Sequence, residues 1–451
     1  MPFSRRKVTI GLASITASVL ALTACSSADS SDGDKDSINV LMINSPQFEE
    51  LQTLTEKYFT PDTGIKVNFT SLPENDLRDR VSQEFSAQAG EYDVASISAY
   101  DTPIFAANNW LASVEEQATS SEEYNLDDMF DSITSLLRGE DGELYAVPFF
   151  AEGSFLFYRT DVMDEAGIEI PERPTWDEVA EAARTIQDGE FEEDGICLRG
   201  LAGWGQNLAP FSTVVNTFGA RWVDENWNPQ LDSPEFEEAL EFYADLLQDA
   251  GPQGSAQNGV LECINFAVEG SVAMMYDATS IAAQVEADDS PTQGDWGYAQ
   301  APVKETDNSG WLWTWAWGIQ EASDAKDESW EFASWATSEE YQELVAEEFG
   351  WQKVPAGTRQ SLYDNEDYQD AAETFYEAEL TAIQEPDPDH PGLYDQPYKG
   401  VQYMGIPEFQ DFGTRASQEF SDVIAGNTSP EQALQESQKI VEEGTSRYRE
   451  E

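Results

Sequence analysis

Past an amino-terminal apolar run, apolar and polar positions in this chain alternate between the period of strands and that of helices. Residues 38–43 are β-branched and apolar, 49–58 carry apolar residues three and four apart, Gly64 closes that unit, and 66–69 alternate. Residues 75–89 then read as an amphipathic helix capped near Asn75, and 92–97 as a third strand. Strand, helix, strand, helix, strand predicts a parallel sheet with helices on both faces. Ligands of such sheets sit beyond the carboxyl ends of the strands, so the loops after Ile43 and Ile97, carrying Gln47, Tyr100 and Asp101, are expected at a cleft. Farther on, 142–149 reads as a strand ending where the chain crosses between lobes, and 155–159 as the next strand. Thr175 with Glu178 three residues on forms a capping box that opens a helix. Glu-rich helices are expected at 234–248, 327–336, 338–348, 367–383 and 429–443. Trp311, Trp313, Trp315 and Trp317 alternate with smaller residues, which in a strand puts the four indoles on one face. No short period repeats, so a solenoid is excluded. The pattern predicts a large α/β protein of two lobes.

The apolar run itself, residues 8–22, follows Arg5, Arg6 and Lys7 and closes on Leu22-Thr23-Ala24-Cys25. It is too short and too poorly flanked for a permanent span, and it looks like a bacterial lipoprotein signal with its lipobox. The expected arrangement is a signal peptide over 1–24, a lipid on Cys25 and a flexible Ser/Asp/Gly-rich tether over 25–36. The Arg5-Arg6 pair leaves export by either the general or the twin-arginine route open. Two acyl chains anchor stably at about 0.8 kcal/mol per buried CH₂. The mature protein is therefore expected at the outer face of the cell membrane, held there by its lipid alone.

Composition narrows the partners. Among 451 residues, 23 Lys and Arg face 88 Asp and Glu, a formal charge of -65 that repels nucleic acid and anionic lipid. The hydrophobic fraction of 40% is ample for two or three cores. With Cys25 lipidated, Cys197 and Cys263 remain as an even pair in an oxidising compartment. A disulfide is the natural pairing, constraining the unfolded chain by ~4 kcal/mol in the entropy model; two buried thiols are the alternative. One histidine, His390, and no cysteine cluster argue against a zinc site, and residues 32–36 lack the glycine and distal glutamate of a calcium loop. No metal and no cofactor are expected.

The order of several motifs resembles a known family along essentially the whole mature chain. Tyr92-Asp93-Val94, Tyr158-Arg159-Thr160-Asp161, the Pro174 to Glu178 helix start, Gly270 to Asp277 and Trp330-Glu331-Phe332, together with the lipobox, are similar to the extracellular solute-binding proteins of ABC importers, the group that includes maltose-binding protein. Cys197-Leu198-Arg199-Gly200, Val215 to Gly219, Tyr276 to Thr279, Trp311 to Trp315, Gly350 to Arg359 and Pro397 to Gln410 look like the branch that captures acyclic polyols such as sorbitol and mannitol. The resemblance implies a type II two-lobed periplasmic-binding-protein fold with a hinge and a ligand cleft. It further implies a monomer, with ABC permease subunits as partners and a polyol or related sugar as ligand. Lobe 1 is expected over 37–149 plus 279–322, and lobe 2 over 150–278 plus 323–451.

A polyol offers hydroxyls that both donate and accept, and C–H faces that are apolar, so its site needs acceptors, guanidinium forks and aromatic rings. Trp313 and Trp315 are expected on the ligand, against core packing as the alternative, with Trp311 and Trp317 structural or at the rim. Arg199 next to Cys197 would bridge adjacent hydroxyls, or else form a structural ion pair. Asp277 at a strand's carboxyl end would accept from hydroxyls, or else cap a helix; Glu152 at the crossing would do the same, or sit solvated in a loop. Gln47, Tyr100 and Asp101 rest on topology and the family pattern. Trp204, Asn216, Tyr398 and Gln402 are implied by the resemblance alone.

The rival reading is a surface-anchored glycoside hydrolase with Glu152 and Asp277 flanking a sugar. Against it stand the motif order and the absence of a glycosidic bond in an acyclic polyol. The chain also has no Gly-x-Ser-x-Gly elbow and no phosphate-binding Gly-x-x-x-x-Gly-Lys-Ser/Thr loop, so neither acyl-transfer catalysis nor ATP hydrolysis is expected in it.

Overall fold

The structure is a computed structural model that describes residues 37–449 apart from residue 288. The signal peptide, Cys25 and the tether lie outside the described residues. Eight strands form two sheets: β1 Ser37–Ile43, β2 Lys66–Leu72, β3 Val94–Ser98, β4 Ala146–Glu152 and β8 Trp313–Ile319 in order β2-β1-β3-β8-β4, and β5 Ser154–Arg159, β6 Met274–Ala278 and β7 Trp296–Gln300 in order β6-β5-β7. Each sheet with its helices is one lobe. No helix among the described residues is long and apolar enough to cross a membrane.

The parallel sheet predicted from the first third of the chain is present in β1, β2 and β3, with β1 and β2 in register from Ser37 opposite Lys66 to Ile43 opposite Leu72. β8 runs antiparallel to both its neighbours. Its direction has a topological cause: the chain reaches β8 from the second lobe and so enters the first sheet at its neighbours' carboxyl ends. In the second sheet both pairings of β5 are antiparallel.

Strand pairing and packing shift the lobe limits expected from sequence. β7 lies within 279–322 yet hydrogen-bonds to β5 in the second sheet. The helices Lys326–Ala336 and Glu339–Phe349, expected in the second lobe, pack on the first: Phe332 meets Phe59, Phe69 and Trp317, and Tyr341 meets Phe149. A chain leaving β8 covers the sheet it has just joined.

Local chemistry accounts for several helix limits. Thr175 accepts from the Glu178 N–H while the Glu178 carboxylate accepts from the Thr175 N–H, the expected reciprocal cap of Trp176–Asp188. Ser233, Ser338 and Ser429 cap Pro234–Ala250, Glu339–Phe349 and Pro430–Gly444 in the same way on one side. Gly64, at φ 80°, ends the first helical unit as expected. The helix Glu74–Ala87 follows Pro73 and has no side-chain cap, in place of the cap expected at Asn75. The long helix expected over 367–383 is two pieces, Glu366–Ala371 and Tyr376–Gln384, and the break lets Tyr368 and Glu379 point at each other. Cys197 and Cys263 form a disulfide with Cα atoms 5.7 Å apart, tying the edge of the second sheet to the helix Val260–Glu269.

Candidate functional site

The lobes meet where strands pass from one sheet to the other. β4 ends at Glu152 and β5 begins at Ser154, so one residue, Gly153, separates the two sheets. The Thr279 N–H donates to the Gly153 carbonyl at 3.0 Å, and the Ala151 N–H to the Ala356 carbonyl at 3.0 Å, which bundles three crossing segments side by side. A Cβ on Gly153 would lie 2.3 Å from the Ala382 carbonyl oxygen, so only glycine lets the backbones approach this closely.

In front of this bundle lies a cavity of about 450 Å³, within the range of small-molecule sites. The first lobe contributes Gln47, Glu74, Arg78, Trp313 and Trp315, the second Arg199, Trp204 and Gln206, and the crossing region Glu152, Ser280, Trp311 and Gln402. The β8 alternation places Trp313 and Trp315 at the cleft end of the strand, both nearly buried. Trp317, on the same face but deeper, is core against Phe48 and Phe149. Trp311 lines the cavity beside them and is nearly buried, its ring 5.7 Å from Tyr276.

Arg78 was not singled out by sequence and is the centre of the site. Its guanidinium lies 4.0 Å from the Trp204 ring, 5.0 Å from Trp315 and 5.1 Å from Trp313. Its Nε and Nη2 donate to Glu74 Oε1 at 3.1 and 2.7 Å. Its Nη1 is buried without a hydrogen-bond partner, and Asp101 Oδ2 stands off at 3.9 Å. Gln402 donates from Nε2 to the Leu312 carbonyl at 3.2 Å, while its buried Oε1 has no partner. Arg78 and Gln402 bring a guanidinium and an amide to a wall of indole faces, the mixed lining that a hydroxylated guest calls for. The signal for Arg78 was available: the Glu74/Arg78 pair follows the carboxyl end of β2, as Gln47 follows β1 and Tyr100 follows β3.

Glu152 lines the cavity and accepts from Ser280 Oγ at 2.5 Å. Burial pushes its pKa up to about 7, against the opposing pull of the Ser280 hydrogen bond and Arg199. Near neutrality its carboxyl is therefore part protonated, able both to donate to and accept from a hydroxyl.

Other expected residues lie one layer back. Asp277 is fully buried and does not line the cavity; Arg199 Nε donates to its Oδ2 at 2.9 Å, Arg199 Nη2 pairs with its Oδ1, and the Ala278 N–H donates to it at 2.7 Å. Arg199 thus forms the structural ion pair that was the alternative reading, while its guanidinium lies 5.7 Å from the Trp311 ring on the cavity wall. Asp277 does not line the cavity with Glu152, so this pair of carboxylates does not flank a guest. Asp101 accepts from the Ser98 N–H at 3.0 Å and the Ser98 hydroxyl at 2.6 Å, behind Arg78, and burial raises its pKa. Tyr100 packs its ring 4.8 Å from Trp204 and donates to the Ile406 carbonyl at 3.0 Å, joining the lobes without lining the cavity. Asn216 donates to the Val401 carbonyl at 3.1 Å, away from the cavity. Tyr398 is also remote, its ring 6.1 Å from Trp227.

The lobes touch directly across the cleft. Gln206 Nε2 donates to Glu74 Oε2 at 3.1 Å, Ser82 Oγ to Gln410 Oε1 at 3.1 Å, and the Gln410 N–H to the Tyr100 hydroxyl at 3.2 Å. These hydrogen bonds join the lobes beside the cavity.

Comparison with known proteins agrees with this geometry. The chain is 37% identical over 407 residues to the mannitol-binding protein of Pseudomonas aeruginosa, covering 90% of this chain and 92% of that one. It is 26% identical over 347 residues to the erythritol/L-threitol-binding protein of Mycolicibacterium smegmatis, covering 72% and 71%. An ABC transporter solute-binding protein of Agrobacterium vitis S4, solved with bound D-mannitol, superposes with a TM-score of 0.88 at 41% identity, over 91% of this chain and 98% of that one. Maltose-bound MalE3 of T. maritima shares the two-lobed fold, with a TM-score of 0.77 at 20% identity over 90% and 99%. The model of the bacterial extracellular solute-binding proteins matches residues 44–343. From crossing strands, the cleft between the lobes and this match together, the chain belongs to the bacterial extracellular solute-binding proteins.

Proposed function

We propose that this protein captures an acyclic polyol of the mannitol and sorbitol kind by closing its lobes, and hands it unchanged to the permease of an ABC importer. The observation that carries the reading is the cavity walled by Trp204, Trp311, Trp313 and Trp315, with Arg78, Arg199, Glu152 and Gln402 in its polar lining. Indole faces suit the C–H side of an alditol, and the guanidinium, carboxyl and amide groups of the lining suit its hydroxyls. The names of the mannitol-binding relative and of the mannitol-bound neighbour support this ligand class. Contacts from both lobes favour the closed form only as far as the ligand binds that form more tightly than the open one. The lipobox supports a lipid on Cys25 that holds the protein at the outer membrane face, within reach of its permease.

The test is a thermal-shift and calorimetry panel of mannitol, sorbitol, arabitol and ribitol against glucose, fructose and maltose. A hexitol at a thousand times its dissociation constant should add about 4 kcal/mol of apparent stability. Shifts with aldoses and none with any alditol would overturn the polyol reading. Replacing Cys25 with Ser should release the exported protein into the medium; retention on the membrane would remove the anchor from the proposal.

A further inference from the structure

Resting on the polyol reading, we infer that the cleft extends into an outer subsite that takes the sugar ring of a glycosyl-alditol. The inner cavity of about 450 Å³ exceeds a single hexitol, which occupies on the order of 200 Å³ at organic-crystal packing density. A second cavity of about 260 Å³ adjoins it, the two sharing Pro46, Gln47, Ile264 and Gln284 as walls. Beyond that shared wall the outer chamber is lined by Glu50, Asn265, Val268, Ala283 and Lys353.

The outer lining has the mixed character of a sugar site. Val268, Ile264 and Ala283 present apolar surface suited to a ring's C–H groups. Glu50, 3.5 Å from Lys353, sets an acceptor beside a donor. Among the described residues, Gln284, common to both chambers, uses neither side-chain nitrogen nor oxygen in a hydrogen bond, and Gln47 uses only its Oε1, toward Ser45. Two amides with free donors thus stand at the junction, where the linking oxygen and adjacent hydroxyls of a glycosyl-alditol would pass. The alditol part occupies the indole-walled chamber and the ring lies outward over the helices Val260–Glu269 and Ala282–Val285.

The probe is 1-O-α-glucosyl-mannitol, with mannitol as reference, each titrated calorimetrically on the full mature chain. Glucosyl-mannitol should bind, and mannitol should displace it competitively. Asn265→Trp, at an exposed helix position that lines only the outer chamber, should weaken glucosyl-mannitol by roughly tenfold or more and leave mannitol within about threefold. Ala283→Trp, which fills the chamber from the other side, should act in the same direction. Mannitol binding with no glucosyl-mannitol binding would overturn the inference alone, as would equal losses for both ligands in both folded variants. Failure of both ligands on the unmodified protein would sink the polyol reading and the subsite with it.

Discussion

Arg78 illustrates how a charge becomes specific. Glu74 holds one edge of the guanidinium through Nε and Nη2, three indoles surround it, and Asp101 stands 3.9 Å from its remaining nitrogen. Trp313→Ala should therefore weaken polyol binding at least about tenfold, because it removes both a C–H platform and part of the cage; unchanged affinity by calorimetry would take Trp313 out of the site. At Glu152, raised to about 7, the neutral isostere is tolerable: Glu152→Gln should hold affinity within about threefold at neutral pH and Glu152→Ala should lose roughly tenfold. Asp277→Ala acts differently, since it strands the buried Arg199 charge. It should cost about 3–5 kcal/mol of stability in denaturant melts and weaken binding by displacing Arg199. Trp313, Trp315 and Trp317 were legible from alternation alone, because a strand turns every second residue to one side, while Trp311 precedes the strand. Whether Asp277 met ligand or Arg199 was not legible, because that depends on which strand the Cys197 segment lies beside, and only the fold brings those partners together.

Among the elements, the crossing bundle is the most constrained. Gly357, at φ 81°, would place a Cβ 2.2 Å from the Ala151 carbonyl oxygen, so Gly357→Ala combines left-handed strain with a backbone clash. A lower melting temperature with a disturbed closure equilibrium is the expected result. Behind the bundle, Tyr363 and Tyr368 donate to the buried Glu379 at 3.0 and 2.7 Å, and Tyr363 accepts from the Gly357 N–H at 3.1 Å. Burial raises the Glu379 pKa from 4.5 to about 7. The folded protein then binds more protons than the unfolded chain between those values, so the stability Glu379 contributes is complete below about 4.5 and is lost as pH rises through about 7. Melting temperature should fall from pH 5 to pH 8 more steeply in the natural protein than in Glu379→Gln; equal slopes would remove Glu379 as the cause. The Thr175 cap and the strands of the first lobe could be read locally. The split within 367–383 could not, since no Gly or Pro marks it and its cause is the tertiary meeting of Tyr368 with Glu379.

For the whole molecule, the two-lobed plan was legible from motif order, while the lobe limits were not, because β7 and the helices after β8 choose their sheet by packing rather than by sequence proximity. The acidic excess behind the charge of -65 makes self-repulsion a global term. Raising ionic strength from about 0.01 M to about 1 M shrinks the Debye length from about 30 to about 3 Å and should raise the melting temperature; no change would show that the ion pairs already offset the repulsion. One consequence of the Arg78 cage concerns light rather than affinity. The guanidinium belongs to one lobe and the Trp204 ring above it to the other, so opening must pull a cation off an indole face. Titrating solute into the unlabelled protein should then shift its tryptophan emission, giving each molecule an intrinsic optical signal of whether it holds cargo.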